Sequence, residues 1–229
     1  MSYTVQNVVF PAERDPDLLP LYADPETWAV IDDTPVRLSQ RAHMNNVLGR
    51  NSARVLAGRR VSFATYFNAF PASYWQHWTN VRDVALTVRT TGPGTVLVYR
   101  SNGEGISQRV ESREVDGQAE TRFALSVRTF GDGGWYWFDI VADEKPLTFE
   151  GGEWTVDAEP VRTGKASLGI TTFNKPTYCV ETLRALGESP DVLAVVDRVF
   201  LTDQGTDRVD AQPDFAEVSG VLGEQLEVL

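Results

Sequence analysis

Two short stretches hold the residue types that a nucleotide-sugar site needs: Thr172-Phe173-Asn174-Lys175 and Asp203-Gln204. Phe173 can stack on a base, Asn174 and Gln204 can read the polar edge of that base, and Lys175 can offset a diphosphate. Asp203 can hold a ribose hydroxyl or a base N–H, and Thr172 opens the polar turn that carries Phe173, Asn174 and Lys175. Together these groups suit the binding of a nucleotide-sugar donor. A polar strand end followed by an ordinary Asp-Gln-Gly turn accounts for the same residues, so their spacing leaves both readings open.

The elements that must position them follow from the apolar pattern. Leu168 to Thr171 reads as a buried strand, Thr172 to Lys175 as a polar turn, and Pro176 as a first-turn helix residue, because its missing N–H costs nothing there. Val180, Leu183 and Leu186 fall on one stripe of a helix from Pro176 to Leu186, capped by Gly187. Val192 to Leu201 reads as a second buried parallel strand, Pro213 to Leu222 as a helix and Leu226 to Leu229 as the start of a third strand. Residues 166–229 are thus expected to open an α/β sheet in the order β-α-β-α-β. In such a sheet ligands sit beyond the carboxyl ends of the strands, where both polar stretches lie. A third strand with no helix after it leaves a raw edge, which predicts self-association.

Composition narrows the partners. A net charge of −11 argues against nucleic acid, which is held through clustered Lys and Arg. The single cysteine, Cys179, excludes an internal disulfide framework, and two histidines, His43 and His77, exclude a His-rich metal site. No Gly-x-Gly-x-x-Gly, Walker loop or Gly-x-Ser-x-Gly elbow occurs. Asp32-Asp33 is a carboxylate pair that reads as a loop face. The chain shows neither a signal-peptide pattern nor a long apolar run, so a cytoplasmic location is expected, with peripheral membrane contact compatible.

Residues 1–60 read as an irregular segment packing on a β-module. Arg50, Arg54, Arg59 and Arg60 cluster there, either to meet phosphates or as a solvated loop face. Residues 61–158 read as all-β, with runs at Val61–Phe67, Val84–Thr90, Thr95–Arg100, Gly105–Val110, Thr121–Val127 and Trp135–Val141 separated by Gly, Pro, Asn and Asp turns. Short strands at this spacing predict a β-sandwich or jelly roll. Its aromatics, among them Phe63, Phe70, Tyr74, Trp78, Trp135 and Phe138, either fill the inter-sheet core or form a sugar platform. Asp132 and Asp139 are minor calcium candidates. Residues 159–165 read as the linker to 166–229.

The run Val61-Ser-Phe-Ala-Thr-Tyr-Phe-Asn-Ala-Phe-Pro-Ala-Ser-Tyr-Trp75 closely resembles the N-terminal β-module of actinobacterial galactan-polymerising galactofuranosyltransferases, a branch of glycosyltransferase family 2. The resemblance continues in the same order through Val98–Arg100, Asp132–Ile140, Gly169–Pro176 and Asp203–Gly205, and covers about residues 60 to 229. It implies that 166–229 is the truncated start of a Rossmann-like GT-A nucleotide-sugar domain, and that the whole enzyme moves galactofuranose from UDP-galactofuranose onto a lipid-linked galactan of the cell wall.

The resemblance further implies that Phe173, Lys175 and Gln204 line the UDP pocket. Arginine is expected at position 175; lysine keeps the charge and loses bidentate phosphate geometry. The resemblance implies that the family's Asp-x-Asp metal motif, its catalytic-base carboxylate and a later metal-ligand histidine lie beyond residue 229. No catalytic or metal residue is therefore expected in this chain, and the Mn or Mg of the full-length enzyme is not expected to bind it. The chain alone is expected to be inactive, as a truncated product or one half of a split reading frame. A homo-oligomer and association with the cytoplasmic face of the plasma membrane are implied for the family. The alternative reading is a non-catalytic carbohydrate-binding or oligomerisation β-sandwich with a remnant α/β stub.

Overall fold

The alternating runs pair into two antiparallel sheets within residues 1–159, and the helix-spaced residues that follow cover a parallel sheet within 160–229; contacts divide the chain into these two units. The structure, a computed structural model, describes residues 2–12, 15–26, 28–31, 34–159 and 164–229. The Asp32-Asp33 pair and residues 160–163 of the expected linker lie outside the described residues.

The first unit begins with β1 (Tyr3–Asn7), a 3-10 turn (Pro16–Leu21), β2 (Asp24–Pro25), β3 (Trp28–Ile31), β4 (Thr34–Arg37), helix α1 (Gln40–Met44), β5 (Val47–Gly49) and β6 (Ser52–Val55). It continues with β7 (Arg60–Ser62), helix α2 (Ala72–Trp78), β8 (Asp83–Thr91), β9 (Gly94–Ser101), β10 (Ser107–Val115), β11 (Gln118–Ser126), β12 (Tyr136–Ala142) and β13 (Leu147–Val156). One sheet runs β11-β8-β13-β6-β5, with β1 also paired to β13. The other runs β10-β9-β12-β7-β2, and β3 and β4 form a separate hairpin. Rings meet between the sheets: Phe149 of β13 lies 5.2 Å from Phe63 and 6.1 Å from Phe138 of β12, and Trp154 stacks on Phe70 at 5.0 Å. Each fully buried ring of this kind stabilises the fold by about 1.5–3 kcal/mol through apolar burial.

Three expectations are corrected here. Residues 1–60 are not an irregular coat, because β1, β5 and β6 extend the first sheet and β2 extends the second. Of these only β1 overlaps a strand readable from the sequence, the edge strand expected over Val5–Phe10 before Pro11; β2, β5 and β6, of two to four residues, are too short to show a period. β13, the strand that binds β8 on one side and β1 and β6 on the other, is absent from the runs read off the sequence. Gly151 and Gly152 break its alternation, and a register shift between Phe149 and Gly151, with Gly151 at φ 145°, marks a bulge. Finally, the run from Val61 stops being a strand at Ser62.

The aromatics divide. Phe63, Phe70, Tyr136 and Phe138 are buried, whereas Tyr66, Tyr74, Trp78 and Trp135 are exposed. Of the clustered arginines, Arg50 donates to the Phe10 carbonyl and Arg60 pairs with Asp139 at 2.7 Å, so two of the four carry structural contacts. The calcium reading fails for Asp139, whose side chain is fully buried against Arg60.

The second unit contains β14 (Ala166–Thr172), α3 (Pro176–Gly187), α4 (Pro190–Val195), β15 (Val196–Asp203), α5 (Phe215–Leu222) and β16 (Leu226–Val228). Its strands are parallel in the order β14-β15-β16, in register Ile170↔Leu201 and Leu201↔Val228. Val180 and Leu183 of α3 pack with Val199, Leu201, Val218 and Leu222 in one core, with Leu186 at its margin. The expected second strand is shorter than read. Ser189-Pro190 and the first-turn Asp191 start a helix, and Val192 and Val195 are exposed rather than buried. β14 is also only half-buried, because alternate residues such as Ser167, Gly169 and Thr171 point outward.

Candidate functional site

Thr172 is paired with Asp203, so β14 and β15 end at the same level and their polar extensions start side by side. Adjacent strands lie about 4.8 Å apart, which puts residues 173–175 and 204–206 within reach of one small ligand. The Gln204 N–H donates to the Thr172 carbonyl at 3.0 Å, which carries the ladder one step past the strand. α3 then begins with Pro176 at its first turn, as its fixed φ favours.

The two extensions are tied by one side chain. Asn174 sits at φ 50°, a left-handed conformation that asparagine tolerates better than most residues. Its Oδ1 accepts from the backbone N–H of Thr206 at 2.8 Å, from the N–H of Asp207 at 3.0 Å and from the Thr206 hydroxyl at 3.3 Å. Gly205 makes this approach possible, since a Cβ there would lie 2.6 Å from both the Asn174 nitrogen and its Oδ1.

Asp203 organises the same turn from within. Its side chain is 1% exposed; Oδ1 accepts from the Gly205 N–H at 3.1 Å and Oδ2 from the Val209 N–H at 2.8 Å. Arg208 donates to the Asp203 carbonyl at 2.8 Å, and its Nε stands 3.5 Å from Oδ2. The Val209 N–H is the chief cause that holds this carboxyl below the ordinary aspartate range, with the Gly205 N–H and Arg208 adding to it against the effect of burial.

The six residues read as a site therefore separate into two groups. Phe173, Lys175 and Gln204 are exposed, Phe173 by 66%. Thr172 and Asp203 are buried, and the Asn174 carbonyl is occupied within the loop. The expected contact of Asp203 with a ribose or base is corrected, because its carboxylate is turned into the turn it builds. Asn174 likewise offers a ligand no carbonyl edge free of other donors. Sequence reading missed Tyr178, 68% exposed, with Lys175 Nζ 5.8 Å from its ring centroid. Its position three residues after Lys175, on the first turn of α3, was the available signal. It also missed Thr206, Asp207 and Arg208, whose roles rest on long-range bonds.

Asp203 is the only carboxylate on the paired strand ends and already serves two N–H groups and Arg208, and among the described residues no group of three or more His, Cys, Asp and Glu is close enough to hold a metal. In the first unit, His43 is buried beside a small apolar cavity that Phe10, Leu19 and Val47 also line. Burial holds its pKa below the ordinary histidine value, with Asp24 opposing that shift. Among the described residues no helix is long and apolar enough to cross a membrane.

The family profile described as "Galactofuranosyltransferase 2 N-terminal" matches residues 5–157. The galactofuranosyltransferases GlfT2 of Mycobacterium tuberculosis (strain ATCC 25618 / H37Rv) and Mycolicibacterium smegmatis (strain ATCC 700084 / mc(2)155) are each 37% identical to the chain over 229 residues. Each alignment covers 98% of this chain and 34% or 33% of the relative, so the chain spans about a third of the length of these curated relatives. Among solved structures, the CBM22-1-GH10 modules of a Clostridium thermocellum xylanase align over 88% of this chain and 38% of that one at 10% identity and a TM-score of 0.40, too distant to bear on the fold or the site. The profile match takes in strands of both sandwich sheets, and on it the chain belongs to the galactofuranosyltransferase 2 N-terminal family.

Proposed function

We propose that this chain is the N-terminal portion of a galactofuranosyltransferase and that its second unit, the start of a Rossmann-like GT-A domain, holds the uridine diphosphate of UDP-galactofuranose beyond β14 and β15. The observation that carries this reading is the exposure of Phe173, Lys175 and Gln204 on adjacent parallel strand ends in a chain of this family. Phe173 stacks on the uracil, Gln204 reads its polar edge, and Lys175 meets the diphosphate as a point charge rather than a fork. The acceptor in this reading is a lipid-linked galactan, and the working protein is a homo-oligomer at the cytoplasmic face of the plasma membrane. The Mn or Mg of the transfer reaction belongs to the whole family enzyme and not to these residues, so the chain alone does not turn over.

Calorimetric titration with UDP tests the reading. The chain should bind UDP equally with and without Mn, and Phe173→Ala should weaken binding by about tenfold, as expected for loss of one base–aromatic stack. Binding that requires Mn, or no binding at millimolar UDP, overturns it.

A second reading, glycan binding by the sandwich, draws on exposed aromatics. Tyr74 and Trp78 lie one turn apart on α2, and the Ser73 N–H donates to the Gly134 carbonyl next to Trp135. Galactan binding lost on Trp135→Ala would favour it.

A further inference from the structure

We infer that Asn174 is a positioning residue of the donor site: its side-chain carbonyl holds the two strand-end loops at one spacing and so sets the affinity for a nucleoside diphosphate. The inference rests on the proposed donor function and adds to it a residue that touches no ligand.

Three observations carry it. A single oxygen, Asn174 Oδ1, gathers the N–H groups of Thr206 and Asp207 and the Thr206 hydroxyl, 32 and 33 residues away in sequence. The residue takes up a left-handed backbone to aim that oxygen, at φ 50°. Opposite it, Gly205 leaves room that a single methyl group would close. Any residue can end a strand, but few combine tolerance of this backbone with a short carbonyl arm.

The ligand-facing groups flank the clasp directly. Phe173 and Lys175 are the sequence neighbours of Asn174, while Gln204 precedes Gly205 and Thr206. Without the carbonyl, two backbone N–H groups lose their acceptor, and the loop that carries Gln204 is tied to β14 only through its ladder bond to Thr172. A binding set spread over two loops holds a ligand well only when the loops are ordered before it arrives.

The test uses the 229-residue chain. Asn174→Gly keeps the left-handed backbone accessible and deletes the acceptor; Asn174→Asp keeps an acceptor oxygen at the same reach. Amide hydrogen exchange at Thr206 and Asp207, UDP affinity and unfolding temperature are measured on each. Asn174→Gly should speed exchange at both amides and weaken UDP by about tenfold, the equivalent of one or two lost hydrogen bonds, while lowering the unfolding temperature by no more than about 10 °C. Asn174→Asp should restore protection of both amides. Should glycine loosen the whole loop, Asn174→Gln, which moves the amide by one methylene, should still weaken UDP by about tenfold. Unchanged UDP affinity or unchanged amide protection in Asn174→Gly overturns the inference while leaving the donor site intact. No UDP binding by the unsubstituted chain overturns the functional reading itself, and the donor role of Asn174 with it.

Discussion

Among the described residues each unit buries one aspartate, and the two carboxyls are pushed in opposite directions. Asp139 lies in the middle of β12, where backbone N–H groups are committed to the ladders with β7 and β9, so its side chain meets Arg60 and Ser62 while the Asp24 carboxylate acts on it from β2. Burial dominates and raises its pKa above the ordinary aspartate value. Asp203 lies at the end of β15, where the turn frees the N–H groups of Gly205 and Val209 to point at it, and its pKa falls. Burial alone therefore decides nothing about a carboxylate; what matters is whether free backbone donors surround it. A parallel strand end supplies such donors and a sheet interior does not, which is why the second unit can build a polar site while the first serves as a packed body.

The largest expected effect probes that packing. Trp154→Ala should destabilise the sandwich by about 3–5 kcal/mol in denaturant unfolding, because the ring is fully buried between Phe70 and Tyr136. A loss below about 1 kcal/mol would mean that the first unit is loosely packed and the contrast is false.

The next effect addresses the aspartates themselves. Arg60→Ala should cost about 1–3 kcal/mol, since it leaves a buried carboxylate without its cation while the arginine is itself half-exposed. Because the folded pKa of Asp139 is raised, its contribution favours folding most below the unfolded value of 3.8 and is lost as pH rises through the folded pKa. Asp203 has the reverse sign: its contribution is present above 3.8 and is lost as pH falls through its lowered folded pKa. Stability followed against pH should show these opposite slopes, and Asp203→Asn should reduce the acid-side loss, the remainder coming from Glu153, whose carboxyl the Thr4 hydroxyl and Arg89 also hold below the ordinary range. Slopes of the same sign would break the comparison. The smallest effect is Trp78→Ala, which should move stability by no more than about 0.5 kcal/mol because the ring is 76% exposed.

Much of the fold was legible along the chain. The change from alternating to helix-spaced apolar residues near Ala166 marks the passage from antiparallel to parallel pairing, and α3, with Pro176 at its start and Val180 and Leu183 inward, lies where its stripe predicts. β13 was not legible, because two adjacent glycines and a bulge erase its period although it is the most connected strand of its sheet. Val192 to Val195 misled in the other direction, since β-branched and apolar residues in a short run do not tell a helical turn from a strand.

At the site, the residue types alone determined that two polar strand ends with an aromatic, a cation and an amide would stand in this chain, because strand, turn and Pro-initiated helix are local choices of the backbone. Only the tertiary structure decided which of those groups a ligand can meet. Asn174 and Asp203 read in sequence like Phe173 and Gln204, as polar-loop residues free to bind. Folded, they are consumed by N–H groups that become available only once the turn from Asp203 to Val209 has closed, and hydrogen-bond direction at that closure depends on pairing between segments some thirty residues apart.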